Sequence, residues 1–206
     1  NIRFYFIKSF DYYAHMFILK KNYYLIIESI KDIKLRNIKK FNKFLIIYRS
    51  QKIKDNLTEL IKFRKECRLK LIKFYVANDL KLAVFLKSDG IYLSAHNRNF
   101  KALNLKKLNY NIIGSAHNAK EISFKMKQGC NCIFLSKLFI VEYNKKAPFL
   151  GTVKFNKYLR EVSKKLVPLG GIKISNLNNL KNLNCDSFAI LSELKKKPAN
   201  IINRLF

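Results

Sequence analysis

The sequence predicts an α/β fold, a closed (β/α)8 barrel of the TIM type formed as one domain over residues 1–206. Three observations carry that expectation. Short apolar runs alternate with polar stretches of helical period, eight times along the chain. Runs such as Phe44–Tyr48 (FLIIY) are continuously apolar, as strands of a parallel sheet buried on both faces are. Hairpin signals are few, which favours βαβ crossovers, and eight units favour closure over an open doubly wound sheet. The length, 206 residues, suffices for a full core and lies at the short end for such a barrel.

Taken in order, Arg3–Lys8 (RFYFIK) is aromatic and β-prone and reads as the first strand. From Tyr12 to about Lys40 apolar residues fall at helical intervals without Gly or Pro, predicting one or two helices. Phe44–Tyr48 is the second strand, and Asp55–Lys70 a helix with Asp55 near its start. Leu71–Ala77 and Asp89–Leu93 are the third and fourth strands, separated by a short helix that ends at Lys87. A weak helix at Phe100–Leu108 precedes the fifth strand, Asn111–Ser115. Asn118–Gly129 is a helix closed by Gly129, and Cys132–Leu135 the sixth strand. The loop Ser136–Gly151 leads to a helix over Thr152–Lys164. Leu166–Leu194 holds a short apolar strand, Gly170-Gly171, a short helix, the strand Phe188–Leu191 and then Ser192.

That last stretch is where a barrel of this kind places a phosphate site, after strands seven and eight. Glycines without Cβ let backbone N–H groups approach an anion, and Ser192 adds a hydroxyl at the start of a final helix. An ordinary turn that uses glycine for its shape is the alternative, and the segment alone leaves both open.

The formal net charge of +29 invites a nucleic-acid reading. Lysine, however, is spread along the whole chain beside abundant Asn, Ile, Phe and Tyr, so the charge reads as a compositional bias of surface positions. No specific nucleic-acid partner is expected, although the summed field favours anionic, phosphorylated small molecules. Cys67, Cys130, Cys132 and Cys185 make no disulfide framework, and three histidines make a zinc site improbable. Reduced thiols and a cytoplasmic location follow as expectations. No apolar run reaches the ~18–20 residues that span a bilayer, so no membrane association is expected. The sequence leaves a monomer and a homodimer both open.

In a barrel the residues after each strand converge on one mouth. They are Arg49 with Gln51 and Lys52, Asn78 and Asp79, His96 and Asn97, Ser115 and His117, then Lys137, Glu142, Asn144, Lys145 and Lys146, then Gly170-Gly171, and finally Ser192. Cations, amides, hydroxyls and glycine backbone suit a phosphate or diphosphate, and Asp79 is the one clear carboxylate, able to share a Mg2+ ion. No paired carboxylates or serine triad are placed by the sequence. His96 and His117 are candidate bases, with an ordinary loop or cap role as the alternative.

Three groups of segments, VANDLKLAVFLKSDGIYL, IIGSAHNAKEI with GCNCIFLSKLF, and PLGGIKISNLNNL with FAILSEL, resemble the thiamine-phosphate synthase family and the related thiazole tautomerases. The resemblance is clearest over residues 43–194. It implies a (β/α)8 barrel that joins an aminopyrimidine methyl diphosphate to a thiazole phosphate, releasing diphosphate with Mg2+. It implies catalytic roles for Arg49, Ser115 and Lys137. It implies substrate binding by Arg49, Asn78, Ser115, Lys145, Gly171, Leu191 and Ser192, and metal positions at Asp79 and Asn97. Asn97 stands where the family has a second aspartate, and the QLREK strand end reads Ile47-Tyr48-Arg49-Ser50-Gln51. The Thr-Pro-Thr-Lys loop reads Val141-Glu142-Tyr143-Asn144, with Lys145 one place late, and Lys137 replaces the tautomerase histidine. Losing one of two carboxylates weakens a Mg2+ site, and Lys52, Lys137 and Lys145 are the candidates to balance the diphosphate charge instead. A tautomerase-like proton transfer, or a non-catalytic binder of thiamine-related phosphates, are the alternatives.

Overall fold

The structure is a computed structural model that describes residues 22–38, 43–50 and 55–191. Eight parallel strands close in sequence order, each bonded to its neighbours and the last to the first. They are β1 (Asn22–Ile27), β2 (Phe44–Tyr48), β3 (Lys73–Ala77), β4 (Gly90–Leu93), β5 (Asn111–Ala116), β6 (Cys132–Ser136), β7 (Lys165–Leu169) and β8 (Ser187–Ile190). The helices between them are α1 (Leu57–Leu69), α2 (Leu80–Phe85), α3 (Leu103–Lys106), α4 (Ala119–Lys127) and α5 (Gly151–Glu161). Tight 3-10 turns at Ile30–Asp32 and Leu35–Asn37 follow β1, and a longer one at Ile174–Asn182 joins β7 to β8.

Alternation along each strand divides the apolar residues between two cores. Tyr24, Ile26, Ile47, Tyr75, Tyr92, Ile113, Phe134, Val167 and Ala189 fill the barrel. Their strand neighbours, including Leu25, Ile46, Phe74, Ile112 and Ile133, pack outward beneath the surrounding elements. Two ring contacts tie the interior across the barrel axis: Phe134 meets Tyr24 edge-on at 4.9 Å and Tyr92 at a tilt at 5.6 Å between centroids. Both faces of every strand are therefore apolar, which explains the continuous runs in the sequence.

The same fact explains where the expected first strand fails. Strand β1 is NYYLII at Asn22–Ile27, inside the segment expected to be helical, and only the 3-10 turns follow it among the described residues. Five of its six residues are buried, so no helical or alternating period survives in YYLII to mark it. Arg3–Lys8 lies outside the described residues. The remaining seven strands and the helices fall within a few residues of expectation, including Gly129 beyond α4, with φ +80°. Three cysteines, Cys67, Cys130 and Cys132, are buried, and no disulfide joins any of the four. No helix among the described residues is long and apolar enough to cross a membrane.

Candidate functional site at the carboxyl ends of the strands

A cavity of about 520 Å3 opens at the carboxyl ends of the strands, and every strand or the loop after it contributes to its lining. Its floor is Tyr92 of β4 and Ser115 of β5, both buried. Burial pushes the Tyr92 phenol above its ordinary value, against a hydrogen bond with Ser115 and the nearby Arg49 charge. The floor is thus neutral hydroxyl, not anion.

Arg49 stands directly after β2, its backbone N–H donating to Ile27 O across the β1–β2 seam at 2.8 Å. Its guanidinium lies 3.4 Å from the carboxylate of Glu28, the residue that follows β1. The Arg49 Nε is buried and finds no hydrogen-bond partner among the described residues. Glu28 is a mouth residue that the sequence reading missed, because β1 itself was misplaced. It corrects the expectation that Asp79 is the one carboxylate there. The available signal was that Glu28 is the first polar residue after a five-residue apolar run.

Asn78 ends β3 with a left-handed backbone, φ +61°, and lines the cavity. Its Oδ1 accepts from the Ser94 N–H and from Asn97 Nδ2, each at 3.0 Å, which joins the β3 and β4 loops. The neighbouring Asp79 does not line the cavity; its Oδ1 accepts from Leu82 N–H at 2.9 Å and caps α2. Asn97 is likewise outside the lining, and its side chain is used at both ends: Nδ2 on Asn78, and Oδ1 accepting from Asn99 N–H at 2.9 Å. The two residues expected at metal positions therefore act as a helix cap and a loop brace. Among the described residues no group of three or more His, Cys, Asp or Glu is placed to hold a metal.

His96 and His117 both line the cavity, with ring centroids 6.2 Å apart. Glu121, in the first turn of α4, accepts from the His117 backbone N–H at 2.8 Å and meets its Nδ1 at 3.0 Å. Burial raises the Glu121 carboxyl, but these His117 contacts outweigh it and hold the group below its ordinary value of 4.5. The carboxylate thus fixes the ring and leaves Nε2 as its remaining polar atom.

Lys137 and Tyr143 complete the wall from the loop after β6, with Lys137 Nζ 5.8 Å from the Tyr143 ring centroid. Lys145 is not in this cavity; it lines a separate depression together with Phe139, Glu142 and Lys173. Against Lys137, Gly170 and Gly171 line the cavity with φ of +93° and +70°. A Cβ on Gly171 would sit 2.5 Å from Phe139 O and 2.6 Å from Ile140 O. Glycine is required there because the β6 loop packs on the turn, so the loop, not a ligand, occupies the space the missing Cβ leaves. Leu138 and Phe139 N–H groups donate to Leu169 O and Gly170 O at 2.9 and 3.1 Å, sealing that contact. Leu191 lines the cavity beyond β8. Ser192 and Lys52 lie outside the described residues.

The strand ends thus bring Arg49, Asn78, Ser115, Lys137, Gly171 and Leu191 together, and leave Asp79, Asn97 and Lys145 out. The class so defined is a closed parallel (β/α)8 barrel with a cation-bearing mouth. Residues 28–194 match the family described as Thiamine monophosphate synthase, and the chain belongs to it. A thiamine-phosphate synthase of Prochlorococcus marinus subsp. pastoris is 32% identical over 142 residues, covering 68% of this chain and 40% of that protein. One from Bacillus cereus is 26% identical over 141 residues, covering 65% of this chain and 64% of that protein. The chain therefore spans about two fifths of the length of the Prochlorococcus relative and under two thirds of the Bacillus one.

Among solved structures, a thiamine phosphate pyrophosphorylase from Pyrococcus furiosus superposes with a TM-score of 0.65 at 18% identity, covering 91% of this chain and 98% of that one. The 3-hexulose-6-phosphate synthase of Salmonella typhimurium gives 0.64 at 9% identity, covering 89% and 97%. At such identities the likeness is one of fold.

Proposed function

We propose that this chain condenses an aminopyrimidine methyl diphosphate with a thiazole phosphate to form thiamine phosphate and diphosphate, in the cytoplasm, as one domain over residues 1–206. The observation that carries the reading is Arg49 and Lys137 facing the same cavity as the buried Ser115 hydroxyl and the Gly170-Gly171 turn. Family membership supports the substrate class.

In this reading the bond between the pyrimidine methylene carbon and the diphosphate oxygen breaks, and the electron pair leaves with the oxygen. The thiazole nitrogen then donates its lone pair to the cationic carbon. Arg49 binds the departing diphosphate through charge-assisted hydrogen bonds, Lys137 adds a second positive charge, and Ser115 donates its hydroxyl. Asn78 orients the pyrimidine end, and the glycine turn with Leu191 and Ser192 receives the thiazole phosphate. The protein's task is positioning and stabilisation of leaving charge, with no nucleophile of its own.

Members of the family use Mg2+. The corresponding positions do not offer a pair of carboxylates for Mg2+ here, since Asn97 is an amide that braces Asn78 and Asp79, whose Oδ1 caps α2, is the single acid. No step is therefore assigned to a metal, and Arg49 and Lys137 carry the countercharge. The test is product formation from both substrates, with and without a chelator. Thiamine phosphate that persists in chelator supports the reading. Turnover abolished by chelator and restored only by Mg2+ would contradict the charge assignment, and no product from folded protein would sink the reaction itself.

The Glu121-held His117 supports a second reading, proton transfer on a thiazole phosphate by His117 or Lys137. Exchange of solvent deuterium into thiazole phosphate alone, lost in His117→Asn or Lys137→Ala, would favour it.

A further inference from the structure

Lys125 of α4 has no exposed surface. A buried ammonium is costly unless its donors are used, and here they are. Nζ donates to Ser94 O at 2.7 Å, to Asn97 O at 2.8 Å and to Gln128 Oε1 at 2.8 Å. Gln128, also fully buried, donates from Nε2 to Asn97 O at 3.2 Å and to Asn99 O at 2.7 Å. Three N–H bonds meet three acceptors, two of them backbone carbonyls of the loop after β4. The lysine stem runs over β5 only because position 114 is glycine: a Cβ there would lie 2.9 Å from Lys125 Cδ and 2.8 Å from Cys130 Sγ.

The clamped loop is the one that reaches the cavity. Ser94, Ala95 and His96 line it, and Ser94 N–H and Asn97 Nδ2 both hold the Asn78 amide oxygen. Lys125 itself lies outside the lining. We propose that Lys125, assisted by Gln128, is a positioning residue that fixes the 94–99 loop from behind, and so sets Asn78 and His96 against the phosphorylated substrate. The inference rests on the function proposed above for that cavity.

The clamp requires the ammonium form, because a neutral amine has two N–H groups and would turn its lone pair toward one of the carbonyls. Burial pushes Lys125 down to about 8; Cys130 acts upward, Arg98 downward and Glu121 upward. The Cys130 thiol is itself raised to about 11 and is neutral across that range.

The experiment titrates the unaltered chain, Lys125→Met and Gln128→Glu with the aminopyrimidine methyl diphosphate, and follows amide exchange over residues 78 and 94–99. Lys125→Met is expected to weaken binding on the order of tenfold, the scale of losing one well-placed hydrogen bond to the substrate. It is also expected to speed exchange across 94–99. A merely structural lysine would lower the melting temperature and leave the affinity alone, which would overturn the proposal. Gln128→Glu keeps an acceptor for Lys125 and removes the two Nε2 donors, so it reads the clamp if Lys125→Met fails to fold. If the unaltered chain does not bind the diphosphate, the proposed function fails; unchanged exchange over 94–99 in either folded variant overturns the clamp independently.

Discussion

Replacing Gly171 by alanine tests how the mouth is built. Two costs add. The left-handed backbone at φ +70° disfavours any Cβ by roughly 1–2 kcal/mol. The new methyl would also stand 2.5 and 2.6 Å from two backbone carbonyl oxygens, Phe139 O and Ile140 O, neither of which can rotate away. Moving the β6 loop to relieve such overpacking costs typically about 1–3 kcal/mol more. The expected total is therefore about 2–5 kcal/mol, a large part of a domain's stability. Gly151→Ala supplies the control, because Gly151 has nearly the same φ, +69°, and nothing within 4 Å of its Cβ position. It should show the backbone cost alone. Urea unfolding followed by far-UV circular dichroism measures both. Two variants destabilised equally, within about 0.5 kcal/mol, would refute the claim that the β6 loop is packed against the glycine turn.

Other outcomes follow from the same geometry. Arg49→Met should weaken diphosphate binding roughly ten- to a hundredfold in isothermal titration, the scale of about 1.5–3 kcal/mol for hydrogen bonds to charged groups. Glu28→Gln removes the carboxylate that competes for Arg49 at 3.4 Å, so diphosphate should bind a few-fold tighter, by roughly 0.5–1 kcal/mol; weaker binding would mean that Glu28 orients Arg49 instead. The Glu121 carboxyl is held below 4.5 in the folded chain, so its His117 contact is fully present above that value and is lost as pH falls through the lower, folded one. The His117 ring resonances should shift in step with that acid transition and not in Glu121→Gln. Burial pushes the thiols of Cys67, Cys130 and Cys132 to about 12, 11 and 12, whereas Cys185 is partly exposed. Alkylation of the native protein near neutral pH should therefore modify Cys185 first, with the other three reacting only on unfolding, as mass spectrometry can count.

Much of this fold was legible because the barrel imposes the same demand eight times. Runs such as FLIIY and CIFLS are apolar on both faces, and Asn78, Gly129 and Gly170, all with positive φ, mark breaks between elements. The first strand was not legible for the same reason: YYLII carries no period, and the aromatic segment before it offered a competing start. At the site, the rule that strand ends converge brought Arg49, Asn78, Ser115, Lys137 and Gly171 to one cavity. What it could not show is how polar side chains are spent locally. Asp79 is drawn to the N-terminus of α2, Asn97 to the Asn78 amide, and Lys145 to a depression shared with Lys173. Glu28 was hidden by the misplaced strand. Lys125 was hidden by composition, since in a chain of net charge +29 a buried lysine looks like every exposed one. Only its distance to Ser94 O and Asn97 O distinguishes it.

The most direct measurement is the complete reaction. The folded chain is incubated with aminopyrimidine methyl diphosphate and thiazole phosphate, and thiamine phosphate is quantified as its fluorescent oxidation product beside an Arg49→Met control. The account expects thiamine phosphate and diphosphate in equal amounts from the unaltered chain, and a loss on the order of a hundredfold or more in the control, the scale of removing one group that stabilises transition-state charge. Binding of both substrates with no thiamine phosphate formed, or equal turnover by Arg49→Met, would contradict it.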